Sequence, residues 1–355
     1  MKKVMSVIVM TSSTCNLDCS YCYMRASRQN EGALKEEDLE PIIKNCSKGF
    51  DSVQFHWHGG EPLLSGKSFY EEVLRVQREL PSVTFLNRIQ TNGVLLTPEL
   101  ADFFASHNFH VGISIDAPED IYPLHRGVDI CHALKALSLL KERNVSTGVL
   151  CVVSKLNVSR VREIFEFYKS IGIGSFGLLP LKEVPLESMP LVPSEDELTN
   201  LFKEMFDLWM YEENCFNHID PIGTMVEGII SGVPRHCSFA ASCLGKMITV
   251  DQNGNAVPCA SLVSPEFILG SLKERPLIEI LASKEAESLR KRRANAIAKN
   301  CSGCEFVSIC NGGCRAEAYW HTGNYEGITP LCGVRKSLFP YIRKVIEEKI
   351  MPQLK

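Results

Sequence analysis

Over roughly the first two hundred positions, apolar residues fall into short β-branched runs separated by longer stretches with helical spacing. Residues 4–10 form the first run. The pattern then predicts a helix over 35–48, a strand over 53–57 and a helix over 69–80 that Pro81 stops. A strand over 84–90 follows. Pro98 opens a helix to about Ser106, in the first-turn position that proline favours. Strands at 111–115, 148–153 and 176–179 alternate with helices at 130–143, 158–171 and 195–211. Six strand–helix units predict a parallel sheet with helices packed outside it. In barrel-like sheets of this kind, chemistry gathers at the C-terminal ends of the strands.

After residue 212 the rhythm stops. Cysteine, glycine and turn residues dominate to about Gly333, and a last helix is expected over 336–350. The middle segment has few apolar residues from which to build its own core, and bound metal can substitute for one. The expected organisation is α/β: a partial (βα)6 barrel over 1–212, a small irregular domain over 213–335, and a C-terminal helix over 336–355. No internal repeat, low-complexity tract or long linker interrupts it.

The apolar runs are strand-sized, well short of the ~20 residues that cross a bilayer. The apolar stretch near Val4 ends at Thr11-Ser12-Ser13, too soon for a signal peptide. The expected location is the cytoplasm, with no membrane partner. Lys plus Arg number 38 and Asp plus Glu 42, a formal charge of −4. Without a strong basic field, nucleic acid is not an expected partner.

Cysteine changes the picture. The chain has 15. In a reducing compartment such a count points to metal ligation or redox chemistry rather than disulfides. Cys15, Cys19 and Cys22 form a C-x3-C-x2-C knot directly after the first strand. Three thiolates on one loop can hold three irons of a cubane and leave the fourth iron open to a ligand. Spacing alone also allows a zinc knuckle or buried thiols. Cys237, Cys243, Cys259, Cys301, Cys304, Cys310, Cys314 and Cys332 crowd the last third. Eight thiolates suffice for two fully ligated [4Fe–4S] clusters, or for two zinc sites. Cys46, Cys131, Cys151 and Cys215 stand apart.

The knot, with aromatic Tyr21 before its third cysteine, resembles the signature of radical S-adenosylmethionine (SAM) enzymes. Gly59-Gly60-Glu61-Pro62 after the second strand, Gln90 and Asn92 at the end of the third, Ser114 and Asp116 at the end of the fourth, and Arg126 agree with it. The resemblance implies a barrel of the radical SAM type. It also implies that the cofactor's methionine chelates the open iron, with the Gly59–Glu61 segment near its amino group and Arg126 at its carboxylate. Ala117 departs from a glycine common after the fourth-strand Asp. The C-terminal cysteines resemble the SPASM extension of these enzymes. That implies one auxiliary cluster on Cys237, Cys243, Cys259 and Cys314, and a second on Cys301, Cys304, Cys310 and Cys332. The implied cofactors are S-adenosylmethionine and three [4Fe–4S] clusters, reduced by a donor such as flavodoxin or ferredoxin.

Across its length the chain is similar to anaerobic sulfatase-maturating and peptide-modifying SPASM enzymes. The expected function is hydrogen abstraction from a peptide or protein side chain, giving an oxidised or crosslinked residue. A dehydrogenase or epimerase of a small molecule such as a sugar or cyclitol is the alternative. A non-catalytic iron–sulfur protein is a third, which the cofactor motifs at four strand ends oppose. In the sulfatase maturases an Asp after the third cysteine of the first auxiliary site acts as base. Here Ala260 holds that position, and alanine takes no proton. Glu183, Asp220, Asp251 and Glu317 are the other carboxylates that could serve, and Cys131, Cys151 or Cys215 could donate a hydrogen atom.

Overall fold

The computed structural model describes residues 2–24, 32–183, 186–212, 215–233, 236–238 and 243–349. The expected domain junction at 213 and the end of the expected terminal helix, 350–355, lie outside the described residues. In chain order the structure begins with β1 (Val4–Met10), α1 (Glu36–Ser47), β2 (Ser52–His58) and α2 (Gly66–Arg78). It continues with β3 (Thr84–Thr91), α3 (Pro98–Ser106), β4 (His110–Ser114), the short α4 (Tyr122–Arg126) and α5 (Cys131–Glu142). Then come β5 (Thr147–Val153), α6 (Val161–Ser170), β6 (Ser175–Pro180), α7 (Glu195–Tyr211), β7 (His218–Asp220) and α8 (Ile222–Ser231). Strands β8 (Met247–Val250), β9 (Asn255–Val257) and β10 (Gly270–Ser271) precede α9 (Leu277–Leu281) and α10 (Lys284–Asn300). Helices α11 (Val307–Cys310), α12 (Arg315–Thr322) and α13 (Cys332–Lys349) close the chain.

The chain divides into two compact units. The first holds Met1–Ile115, Arg126–Gly148 and Ser242–Arg290, and the second the remainder. In the first unit the strands run β10-β9-β8-β1-β2-β3-β4. β1 to β4 are parallel, with Val4 opposite Ser52 and Ser52 opposite Thr84. β8 adds to β1 in parallel, and β9 and β10 follow antiparallel. In the second unit β5, β6 and β7 are parallel neighbours. The α/β class and parallel sheet expected from the alternating pattern are therefore present. Among the described residues, no helix is long and apolar enough to cross a membrane.

Local chemistry explains the sharper boundaries. Thr97 caps α3 by accepting from Leu100 N, and Pro98 takes the first helical position. Ser194 and Glu197 form a reciprocal capping box on α7. The core of the first unit is aromatic. Trp57 stacks on Phe55 at 5.3 Å and meets Phe69 and Tyr70 edge-on at 5.8 and 6.1 Å. Its indole N–H donates to Asn87 Oδ1 at 3.1 Å.

The structure differs from the expected pattern at the short α4 and in the segment after 212, which holds strands and helices. The segment after 212 contains the 17-residue α10. Its Ala, Glu, Lys and Arg are strong helix formers, but Ala286, Leu289 and Ala296 make too thin an apolar stripe to reveal it. The terminal helix begins at Cys332 rather than 336, which puts that cysteine in its first turn.

Trp57→Ala should destabilise the protein by about 3–5 kcal/mol, since it empties the centre of a close-packed aromatic cluster. Denaturant unfolding checks this. A change below about 1 kcal/mol would mean that the cluster does not organise the unit.

Candidate active site

β1 ends at Met10, and the chain passes into the loop that carries Cys15, Cys19 and Cys22. The segment leading into that loop is pinned to the end of β2. Thr11 N donates to His58 O at 2.8 Å and Gly60 N to Ser12 O at 2.8 Å. Glu61 N donates to Thr14 O at 3.0 Å. A Cβ on Gly60 would overlap the Thr14 carbonyl oxygen, so glycine is what lets the two backbones meet. Within the loop, Cys22 N donates to Cys19 O and Leu17 N to Cys15 Sγ. Cys19 is buried, and Cys15 and Cys22 are partly exposed.

Glu61 does not point toward solvent. Its side chain is 1% exposed. Oε1 accepts from Thr91 Oγ1 at 2.6 Å and Leu63 N at 3.0 Å, and Oε2 accepts from Asn92 N at 2.9 Å. The carboxylate thus ties the end of β2 to the end of β3. Asn92 carries the link onward, because its amide donates to Asn16 Oδ1 at 2.8 Å beside Cys15 Sγ at 3.8 Å. Burial pushes the Glu61 carboxyl above the usual range, while these donors and the Arg126 charge pull the other way. Arg126 itself is 7% exposed, with its guanidinium carbon 5.7 Å from the centre of the Tyr21 ring. Gln90 Nε2 donates to Ser114 Oγ at 2.9 Å. The structure therefore gathers Cys15, Glu61 and Asn92 into one bonded network, with Arg126 and Tyr21 as a stacked pair.

Asp116 belongs to the second unit and to a different network. It is fully buried, accepts from Val152 N at 2.8 Å and lies 3.3 Å from His125 Nδ1. The alternative carboxylates are engaged too. Asp251 accepts from Asn253 N, Asn255 N and Asn255 Nδ2 in its own turn. Asp220 bonds His218 and Thr224, Glu183 meets His321, and Glu317 meets Thr329 and Arg335. Cys151 is a buried strand residue.

In the second unit Cys301, Cys304, Cys310 and Cys332 line one cavity, together with Arg315 and Arg335. Burial pushes the Cys310 thiol up, and Arg335 opposes the shift. Four thiols around one space, with the cations Arg315, Arg335 and Lys336 beside them, suit an anionic iron–sulfur cluster. This is the set expected for the second auxiliary cluster.

Two family models match the chain. The Radical SAM superfamily model covers residues 9–168, and the SPASM model, an iron-sulfur cluster-binding domain, covers 237–305. Residues 9–168 are a radical SAM domain, and a SPASM domain follows it. Among its relatives is a serine-type anaerobic sulfatase-maturating enzyme of Bacteroides thetaiotaomicron, 27% identical, matched over 94% of this chain and 87% of that one. A cysteine-type enzyme of Clostridium perfringens is 28% identical over 86% of each chain. The solved structure of native anSMEcpe with bound AdoMet and Cp18Cys peptide superposes with a TM-score of 0.89, at 24% identity, over 99% of this chain and 100% of that one. This radical SAM protein shares that fold.

Reading motifs along the sequence misses three residues. Asn16 is one, as the acceptor that joins the Asn92 amide to the cysteine loop. Arg315 and Arg335 are the others. The signal for Arg315 was an arginine directly after a ligand-type cysteine and a Gly-Gly turn.

Glu61→Gln puts an NH2 where a buried N–H, of Leu63 or of Asn92, now finds an oxygen. Leaving that donor unsatisfied costs about 1–3 kcal/mol. Denaturant unfolding should report this loss, and an unchanged midpoint would contradict the tie. Reconstituted protein should bind about twelve irons, and joint replacement of Cys15, Cys19 and Cys22 by Ala should remove about four. Iron content that stays near twelve would contradict a cluster on that loop.

Proposed function

We propose that this protein is a radical SAM maturase that abstracts a C–H hydrogen from a peptide or protein side chain and leaves an oxidised or crosslinked residue. The observation that carries the reading is the end-to-end similarity to sulfatase-maturating enzymes, which spans 94% of this chain. When bound, the cluster and S-adenosylmethionine supply a low-potential electron and a 5′-deoxyadenosyl radical. The protein's part is to hold and shield them.

Cys15, Cys19 and Cys22 would hold three irons and leave the fourth for the cofactor's methionine group. Backbone at Gly59 and Gly60 would face its amino group, in the position that the buried Glu61 fixes. Arg126, already stacked on Tyr21, would pair with its carboxylate. Gln90, Asn92, Ser114 and Asp116 would border the rest of the cofactor. Cys237, Cys243, Cys259 and Cys314 would hold one auxiliary cluster, and the four cysteines of the cavity the other. With all four positions of each filled by protein, these clusters would transfer electrons rather than bind substrate. The electron donor would be a flavodoxin or ferredoxin, and the setting the cytoplasm. Residues 1–212 would form the partial barrel, 213–335 the SPASM domain and 336–355 the closing helix.

Ala260 bears on which product forms. Turning a Cys or Ser side chain into an aldehyde requires loss of its own proton, and general-base help is worth about 10²–10⁴ in rate. Asp251 is consumed by its own turn. After hydrogen abstraction the side-chain radical would then couple to a neighbouring group, lose an electron to an auxiliary cluster or regain a hydrogen atom.

Arg126→Ala should weaken S-adenosylmethionine binding by about 2–5 kcal/mol, because it strips one partner from a desolvated pair. Iron content should stay unchanged. Equal affinity in the variant would remove Arg126 from the cofactor site. Incubation of reduced enzyme with S-adenosylmethionine and a sulfatase-type Cys or Ser peptide should give no formylglycine by mass. Rapid aldehyde formation would show that another residue supplies the base and that the product is the sulfatase one.

A further inference from the structure

Arg315 is a buried cation with no carboxylate paired to it among the described residues. It is 4% exposed and lines the cavity of Cys301, Cys304, Cys310 and Cys332. Its Nη1 donates to Gly327 O at 2.9 Å and its Nη2 to Gly312 O. Its Nε, wholly buried, has no hydrogen-bond partner. Among the described residues no carboxylate forms an ion pair with it, whereas its neighbour Arg335 pairs with Glu317 at 3.3 Å. An uncompensated charge at this depth costs several kcal/mol. Arginine stays protonated at any ordinary pH, so its counter-charge has to come from something else.

The surroundings indicate where. Asn311, Gly312 and Gly313 are consecutive left-handed residues, with φ of 48°, 72° and 70°. The turn aims the Gly312 carbonyl at Arg315. A Cβ on Gly312 would lie 3.5 Å from Cys301 Sγ and 3.8 Å from Arg315 Nη2. The Cys301 thiol and the Arg315 guanidinium thus both lie beside Gly312, on one side of the cavity. A [4Fe–4S] core held by four thiolates carries about two negative charges, and about three after it accepts one electron.

We propose that Arg315 is a positioning and charge-compensating residue for the cluster held by Cys301, Cys304, Cys310 and Cys332, and that its fixed charge raises the reduction potential of that cluster. The inference rests on the cluster assignment above. A buried positive charge stabilises the reduced form more than the oxidised one, because the reduced form is more negative. Hydrogen bonds toward the sulfurs act in the same direction. The cluster would then accept a single electron more readily, from the substrate radical or from an external one-electron reductant.

The test is a redox titration of anaerobic holoprotein, followed by electron paramagnetic resonance, with iron counted on the same samples. Arg315→Gln keeps donors but removes the charge, and Arg315→Lys keeps the charge. With Gln, iron should stay near twelve, and one auxiliary cluster should become at least tenfold harder to reduce, a fall of about 59 mV for one electron. With Lys, the potential should stay within tenfold of the native value. A fully loaded Gln variant with native potentials would overturn the proposal. If the Gln variant loads no second auxiliary cluster, the Lys variant decides. Full iron with the native potential supports the charge role, and loss of iron or a tenfold fall overturns it. A wild-type protein that binds about eight irons, with Cys301→Ala losing none, would instead overturn the cluster assignment itself.

Discussion

A single buried carboxylate organises the first strand ends. Glu61 accepts hydrogen bonds from Thr91, Leu63 and Asn92, and so fixes the end of β2 against the end of β3. On the other side, the backbone at Gly60 and Glu61 is bonded to Ser12 and Thr14, immediately before Cys15. The cysteine loop has little core of its own. It inherits its position from a charge that burial makes costly to leave unsatisfied. Tyr70 adds a brace from below, where its hydroxyl donates to Pro62 O at 2.8 Å within the aromatic cluster. Apolar packing, the buried acid and the thiol loop are thus joined in series.

The second unit meets a related need in the opposite sense. Around Cys301, Cys304, Cys310 and Cys332 the buried charges are cationic, and the two arginines differ in their compensation. Arg335 is balanced by Glu317, while Arg315 has two carbonyl oxygens. In both units a buried ionic group sits beside a cysteine-bearing loop.

Much of this is legible in the sequence because it depends on local signals. Apart from the short α4, the alternating runs give the elements from β1 to α7, and Pro98 marks a helix start that the structure keeps. Cysteine spacing singles out the loop after β1 and the eight C-terminal cysteines, and the SPASM resemblance picks from these the four of the cavity. What stays hidden depends on tertiary context. α10 shows too few apolar positions to stand out from a polar segment. β8 has four residues and gains its place by pairing with β1 from more than two hundred positions away. Glu61 reads as a ligand-loop acid, but its carboxylate faces inward, and no spacing rule separates those outcomes. Asp116 likewise reads as a strand-end acid, and its contacts with Val152 and His125 show only in the folded chain. Arg315 follows a Gly-Gly turn and a cysteine in the sequence, but its burial shows only in the folded chain.

Hydrogen abstraction from a peptide side chain is the central claim, and isotope transfer tests it most directly. Reduced holoprotein is incubated anaerobically with S-adenosylmethionine and a sulfatase-type peptide whose Cys carries deuterium at the β-carbon. The 5′-deoxyadenosine formed should gain one deuterium from the peptide, even though Ala260 leaves the aldehyde unformed. If 5′-deoxyadenosine forms without peptide deuterium, the side chain of such a peptide is not where this protein directs its radical.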